Sequence, residues 1–119
     1  MAKYLLLLYN DPAGWKALSP DQAQKALEKF VAWRKKLVDQ GIYVGSNKLA
    51  DDPGKILRGS GQVRVTDGPY SETKEVLGGY FLIEAADYND AVNKTRDCPG
   101  LEFGSTIEVR QVDPMVPSA

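Results

Sequence analysis

The chain has 119 residues, 43% hydrophobic and 26% charged, a composition that excludes disordered and collagen-like chains and fits one domain of ordinary size. Fifteen basic against sixteen acidic residues leave a formal charge of −1, so there is no electrostatic footprint for nucleic acid. The single cysteine, Cys98, excludes an internal disulfide, and the absence of histidine removes the usual general base, the proximal haem ligand and the commonest zinc ligand together.

The spacing predicts a first strand over Lys3 to Tyr9, with Leu5, Leu7 and Tyr9 on one face and Tyr4, Leu6 and Leu8 on the other. A strand apolar on both faces is a central strand covered on both sides. Its aliphatic run, Leu5 to Leu8, is the longest in the chain. It is far short of the roughly 20 residues of a membrane span or the roughly 7–15 of a signal-peptide core, so a cytoplasmic protein without membrane contact is expected. Asn10 to Leu18 reads as a loop carrying Trp15. Ser19-Pro20-Asp21-Gln22 then opens a helix: Ser19 and Gln22 spell a capping box and Pro20 suits the first helical position. Ala23, Ala26, Leu27, Phe30, Trp33, Leu37 and Val38 form one apolar stripe. Arg34-Lys35-Lys36 lies on the polar side, and Gly41 ends the helix.

Ile42 to Leu49 reads as a second strand, and Asp51-Asp52-Pro53-Gly54 as a turn. Lys55–Arg58 and Gln62–Thr66 flank Gly59-Ser60-Gly61 as a hairpin. Asp67-Gly68-Pro69 breaks the chain. Gly78 to Ala85 is a second strand apolar on both faces. Asp87 caps a shorter helix to about Asp97, with Ala91 and Val92 turned inward, and Cys98-Pro99-Gly100 ends it. Thr106 to Val112 alternates, as an edge strand does. The two prolines of 113–119 suggest a flexible tail, leaving residues 1–112 as the domain.

Apart from the inserted hairpin, the order is strand, helix, strand, strand, helix, strand. This is the split βαβ repeat of a ferredoxin-like α+β fold, βαββαβ. Right-handed crossovers put both helices on one side of the sheet. The other side then presents some six to eight apolar side chains in a lone chain, a patch on the order of several hundred Å². A second copy packed sheet against sheet is the economical cover, with a ligand cleft between the layers.

Asp67-Gly68-Pro69-Tyr70-Ser71-Glu72-Thr73-Lys74-Glu75 resembles the signature of the DGPF proteins, a branch of the YCII-related family. Leu77-Gly78-Gly79-Tyr80-Phe81-Leu82-Ile83, Cys98-Pro99-Gly100, Ile107-Glu108-Val109-Arg110 and the opening Lys3 to Tyr9 fit the rest of that pattern. The resemblance spans nearly the whole chain and implies a dimeric α+β barrel. Some YCII-like members are enzymes acting on small molecules through a histidine–aspartate pair. DGPF members are often encoded beside bacterial sigma factors of the extracytoplasmic-function type, which implies a sigma-factor-type regulatory partner. Many DGPF relatives carry a histidine shortly after the Cys-Pro-Gly triplet, where Phe103 stands here. With no histidine, the enzyme pair maps onto no position of this chain.

Asp67 reads either as a general base or ligand acceptor, or as an Asx turn that caps the backbone after it, the simpler reading. Glu72 and Lys74 form a candidate acid–base or anion-binding pair with Tyr70 as donor; the alternative is a solvated connector. Tyr9 and Arg64 are further candidates for lining a pocket. Their alternatives are a tyrosine at the core rim and an arginine stem over apolar surface. Cys98 reads as a buried structural residue, Trp33 as core and Trp15 as a lid or interface anchor. Gly59-Ser60-Gly61 lacks the third glycine and following helix of a dinucleotide loop, and no Walker sequence or EF-hand spacing occurs, so no cofactor and no metal are expected. The leading reading is a small homodimeric protein that binds a small ligand or a regulatory partner near Asp67–Glu75. The alternatives are a lyase, isomerase or hydrolase using Asp67 or Glu72 as acid or base, and a structural partner of a sigma factor.

Overall fold

Both strands that read as apolar on two faces lie at the centre of the sheet. In the computed structural model, which describes residues 1–68 and 75–116, β1 (Ala2–Asn10) and β5 (Val76–Ala85) are the inner strands. They sit between β2 (Tyr43–Lys48) and β6 (Thr106–Gln111), in the order β2-β5-β1-β6. Every neighbouring pair is antiparallel. This is the interleaved order of a split βαβ repeat, and it makes alternating β6 an edge. The inserted hairpin, β3 (Lys55–Arg58) and β4 (Arg64–Asp67), forms a separate two-stranded sheet.

The helices are α1 (Pro12–Lys16), α2 (Pro20–Asp39), α3 (Tyr88–Thr95) and α4 (Pro99–Glu102). The capping box opens α2 as its sequence predicts. Gln22 N–H donates to Ser19 Oγ at 3.1 Å, and Ser19 N–H donates back to Gln22 Oε1 at 2.8 Å. Gly41, at φ +73°, supplies the left-handed turn after it. Asp87 caps α3 by accepting from Asp90 N–H at 2.8 Å. Two segments differ from expectation. The loop after β1 contains α1, because Asp11 caps it by accepting from Ala13 N–H and Pro12 presets its first φ. Cys98-Pro99-Gly100 ends α3 but also starts α4, with Pro99 again at the first turn.

The helices share one side of the sheet, where Tyr4, Leu6 and Leu8 of β1 and Phe81, Ile83 and Ala85 of β5 meet Trp33, Leu37, Ala91 and Cys98. Trp33 is core as expected, its ring edge on Phe81 at 4.8 Å and its indole N–H donating to Asp97 Oδ1 at 3.0 Å. Val92, expected to face inward with Ala91, is exposed instead, since the short helix buries only one residue per turn there. The apolar stripe of α2 is only partly used by the sheet: Ala26, Trp33 and Leu37 are buried, whereas Leu27 and Val38 are 57% and 50% exposed, as is Val31 beside the stripe at 59%.

On the opposite side of the sheet, Leu5 pairs with Leu82 and Leu7 with Tyr80. Tyr9 lies there too, its hydroxyl on Glu108. These apolar side chains are half-buried, and among the described residues they are not part of the buried core. The molecule is accordingly flat, 45 × 44 × 20 Å, with a radius of gyration of 16.1 Å against about 13.5 Å for a compact chain of this length. It exposes 8318 Å², where a compact monomer of this mass exposes roughly 6,400 Å².

Candidate functional site

The main concavity is a cleft of about 1220 Å³ bounded by α1, the outer flank of α2, the 49–54 connector and the first residues of β5. The stripe on α2 makes one wall. Its core-facing edge is used by the sheet, and Leu27, Phe30 and Val31 are left to the cleft, with Leu77 across from them. Phe30 lies nearly parallel to Phe81 at 6.4 Å, which continues the floor into the core.

At one end, three polar side chains converge. Arg34 stands one turn after Phe30 on α2. Tyr43 and Ser46 on β2 are three residues apart, a spacing that puts side chains on opposite faces of a regular strand. A register shift between Tyr43 and Gly45 removes that opposition: Tyr43 pairs with Ile83 and Ser46 with Phe81, both on the helix side. Tyr43 Oη lies 2.6 Å from Ser46 Oγ and accepts from Arg34 Nε–H at 3.1 Å, while the guanidinium sits 5.0 Å from the ring centroid. Burial pushes the Tyr43 phenol up, but the hydrogen bonds with Ser46 and Arg34 and the Arg34 charge outweigh it and bring it below the ordinary tyrosine value.

At the other end lie Asn10, Trp15 and Glu75. Asn10 Oδ1 accepts from the buried hydroxyl of Ser105. A side chain at position 78 would meet Asn10 Nδ2 at 2.2 Å, so Gly78 is what lets that amide fit. Thr106 Oγ1 donates to Glu75 Oε1 at 3.1 Å. Trp15 packs on Phe103 with ring centroids 5.7 Å apart, and its buried indole N–H has no hydrogen-bond partner among the described residues. Phe103 therefore works as an aromatic support for the α1 wall.

The candidate residues from the sequence are spread over two places. Tyr9 and Glu75 border the cleft. The Tyr9 hydroxyl is turned to Glu108 at 3.3 Å, and burial together with that carboxylate pushes its phenol up, against a smaller opposing effect of Arg110. Asp67 and Arg64 lie on the hairpin, both exposed, away from the cleft lining. The Asp67 carboxylate accepts from Lys55 Nζ at 2.5 Å across the two-stranded sheet, and the backbone it would cap as an Asx turn lies outside the described residues. Arg64 stands directly opposite Arg58. Tyr70, Glu72 and Lys74 lie outside the described residues. Among the described residues, no group of three His, Cys, Asp or Glu side chains is placed to hold a metal ion, and no helix is long and apolar enough to cross a membrane. Cys98 is buried, and burial pushes its thiol up to about 11.

Arg34, Tyr43 and Ser46 are the residues that sequence reasoning passed over. Arg34 sits in a basic run that reads as a solvated helix face. The available signal is its i+4 relation to Phe30, which places it at the margin of the apolar stripe.

A protein of Rhizobium meliloti (strain 1021), itself uncharacterized, is 30% identical over 96 residues, which cover 79% of this chain and 77% of the relative. The family model of the YCII-related domain matches residues 2–116, from the start of β1 to beyond β6, taking in every strand and helix described above, and the chain belongs to that family.

Proposed function

We propose that this protein is a small-ligand-binding member of the YCII-related family, of the DGPF branch, that works as a homodimer. The observation that carries the ligand reading is the cleft itself. Leu27 and Val31, more than half exposed on α2 beside its buried residues Ala26, Trp33 and Leu37, line a concavity that also carries a few polar side chains, Arg34 and Ser46 among them. That is the usual build of a small-molecule site: an apolar wall for affinity and a few placed polar groups for orientation. Glu75, the last residue of the signature segment, is on its border. This supports a site beside the motif more than one at Asp67, whose carboxylate is already paired.

The dimer is supported by the uncovered sheet face and by the excess of accessible surface. That excess, about 1,900 Å² per chain and so about 3,800 Å² for a pair, falls in the range that obligate homodimers bury.

A thermal-shift screen of the intact chain against small carboxylates and phenols tests the ligand reading. We expect hits that raise the melting temperature by several degrees and that are lost in Leu27→Ser/Val31→Ser, a double variant on exposed positions that keeps the fold. Flat melting curves across the whole screen would remove the reading.

The second reading, a regulatory protein partner, is favoured by the hairpin. Leu57 and Val65 are cross-strand neighbours, 64% and 59% exposed, on a two-stranded sheet that is marginal by itself in water.

A further inference from the structure

We propose that the cleft selects ligands bearing a carboxylate, held by the guanidinium of Arg34 and the hydroxyl of Ser46, so that the ligand class is a small organic acid with an apolar body. This rests on the ligand-binding reading above and narrows it.

The geometry is a chain of donors that ends in the cleft. Arg34 Nε–H is committed to Tyr43 Oη, and the guanidinium plane is fixed by the ring beside it. Its two terminal nitrogens have no acceptor among the described residues. A guanidinium held this way offers its fork pre-organised, the shape that takes both oxygens of a carboxylate. Tyr43 Oη, already accepting from arginine, lies 2.6 Å from Ser46 Oγ, and either hydroxyl can donate to the other. With Tyr43 as the donor of that pair, the Ser46 proton turns to an acceptor in the cleft as a further donor. Tyr43 is a positioning residue: it does not line the cleft, whereas Arg34 and Ser46 do.

The other charges of the lining are engaged elsewhere. Lys48 Nζ is bound to Asp51 at 3.1 Å and to the Leu49 carbonyl. Asp52 accepts from Gly54 N–H, Glu75 accepts from Thr106, and Lys16 has an interaction of its own. Next to the fork, Phe30 and Val31 supply an apolar surface where the body of the acid lies, and where neither water nor a second charge is favoured.

Calorimetric titration of the full chain with 2-naphthylacetate and its neutral isostere 2-naphthylacetamide tests this. The acid should bind at least about tenfold tighter than the amide, a difference of about 1.4 kcal/mol. Its affinity should fall with added salt while that of the amide stays constant. Arg34→Gln should bring the acid down to the amide's affinity without changing the amide. Ser46→Ala should cost the acid several-fold, and circular dichroism should show both variants folded. Equal binding of acid and amide to the unaltered protein overturns the inference and leaves the cleft reading standing. So does an acid preference that survives in both variants. Binding of neither compound overturns the cleft reading and the inference with it.

Discussion

Leu82 is the position where one substitution best separates a dimer from a chain that lives alone. It lies mid-strand on β5, directly opposite Leu5 and next to the Leu7–Tyr80 pair, on the side of the sheet without helices. Being half-buried already by its neighbours, it has roughly 60 Å² left to cover, worth about 1.5 kcal/mol at ~25 cal/mol per Å². A twofold interface contains every residue twice, so losing that side chain costs the dimer about 3 kcal/mol, roughly a hundredfold in dissociation constant. Leu82→Ala should show that loss. Leu82→Lys should show more, because it also brings two ammonium groups into a desolvated layer. Sedimentation over the micromolar range reads the outcome: a dimer for the unaltered chain, a monomer for Leu82→Lys. The far-ultraviolet dichroism of the variant should be unchanged, since the helix-side core does not include Leu82. Leu6→Lys is the contrasting control, because Leu6 is fully buried under the helices and that variant should not fold. A monomeric unaltered chain, or a Leu82→Lys protein that pairs as tightly as its parent, would refute the reasoning.

Three further outcomes follow from particular contacts. Gly68→Ala should lower the melting temperature, at a cost of about 1–3 kcal/mol, because the added Cβ would lie 1.8 Å from the Pro53 carbonyl oxygen and must push the connector away. A Gly68→Ala protein with the parental melting temperature would show that this approach does not matter. The Cys98 thiol, raised to about 11 by burial, should resist alkylation at pH 8 in the folded protein and react promptly in denaturant; rapid native labelling would contradict its burial. Burial pushes the Asp97 carboxyl up, but hydrogen bonds from Lys36 and Trp33 and the Lys36 charge win and hold it below the usual range. A depressed acid contributes stability above its unfolded value, near 3.9, and loses it as pH falls through the folded value. Melting temperature should therefore fall more steeply below about pH 4 in the unaltered protein than in Asp97→Asn; parallel curves would count against the pair.

The strand order was legible because burial on two faces leaves a two-faced apolar pattern. Leu5 to Leu8 and Tyr80 to Ile83 carry it, and both strands are interior. The capping box of Ser19 and Gln22 was equally legible, since its hydrogen bonds are local and need no tertiary partner. What the pattern did not convey was α1 and α4, helices of one turn started by Pro12 and Pro99. At that length a helix has no period to detect, and the same residues spell a turn.

The site was hidden for a different reason. The residue types from Asp67 through Lys74 are chemically rich, yet Asp67, the one of these candidates that the structure describes, is not part of the cleft lining, and neither is Arg64 on the same hairpin. The convergence of Arg34, Tyr43 and Ser46 depends on one irregularity, the register shift after Tyr43, and on a helix crossing the strand at that height. Neither leaves a mark in a single sequence: a strand reading of period two puts Tyr43 and Ser46 on opposite faces and Arg34 in water. The apolar half of the same site was in plain view as the excess width of the α2 stripe. A helix that carries more apolar positions than one sheet can bury, with Leu27 and Val31 left over, has a second thing to contact. Counting the apolar positions of a stripe against the width of the sheet it must cover is thus the sequence-level test that would have directed attention to this wall of the cleft, and from Phe30, one turn along, to Arg34.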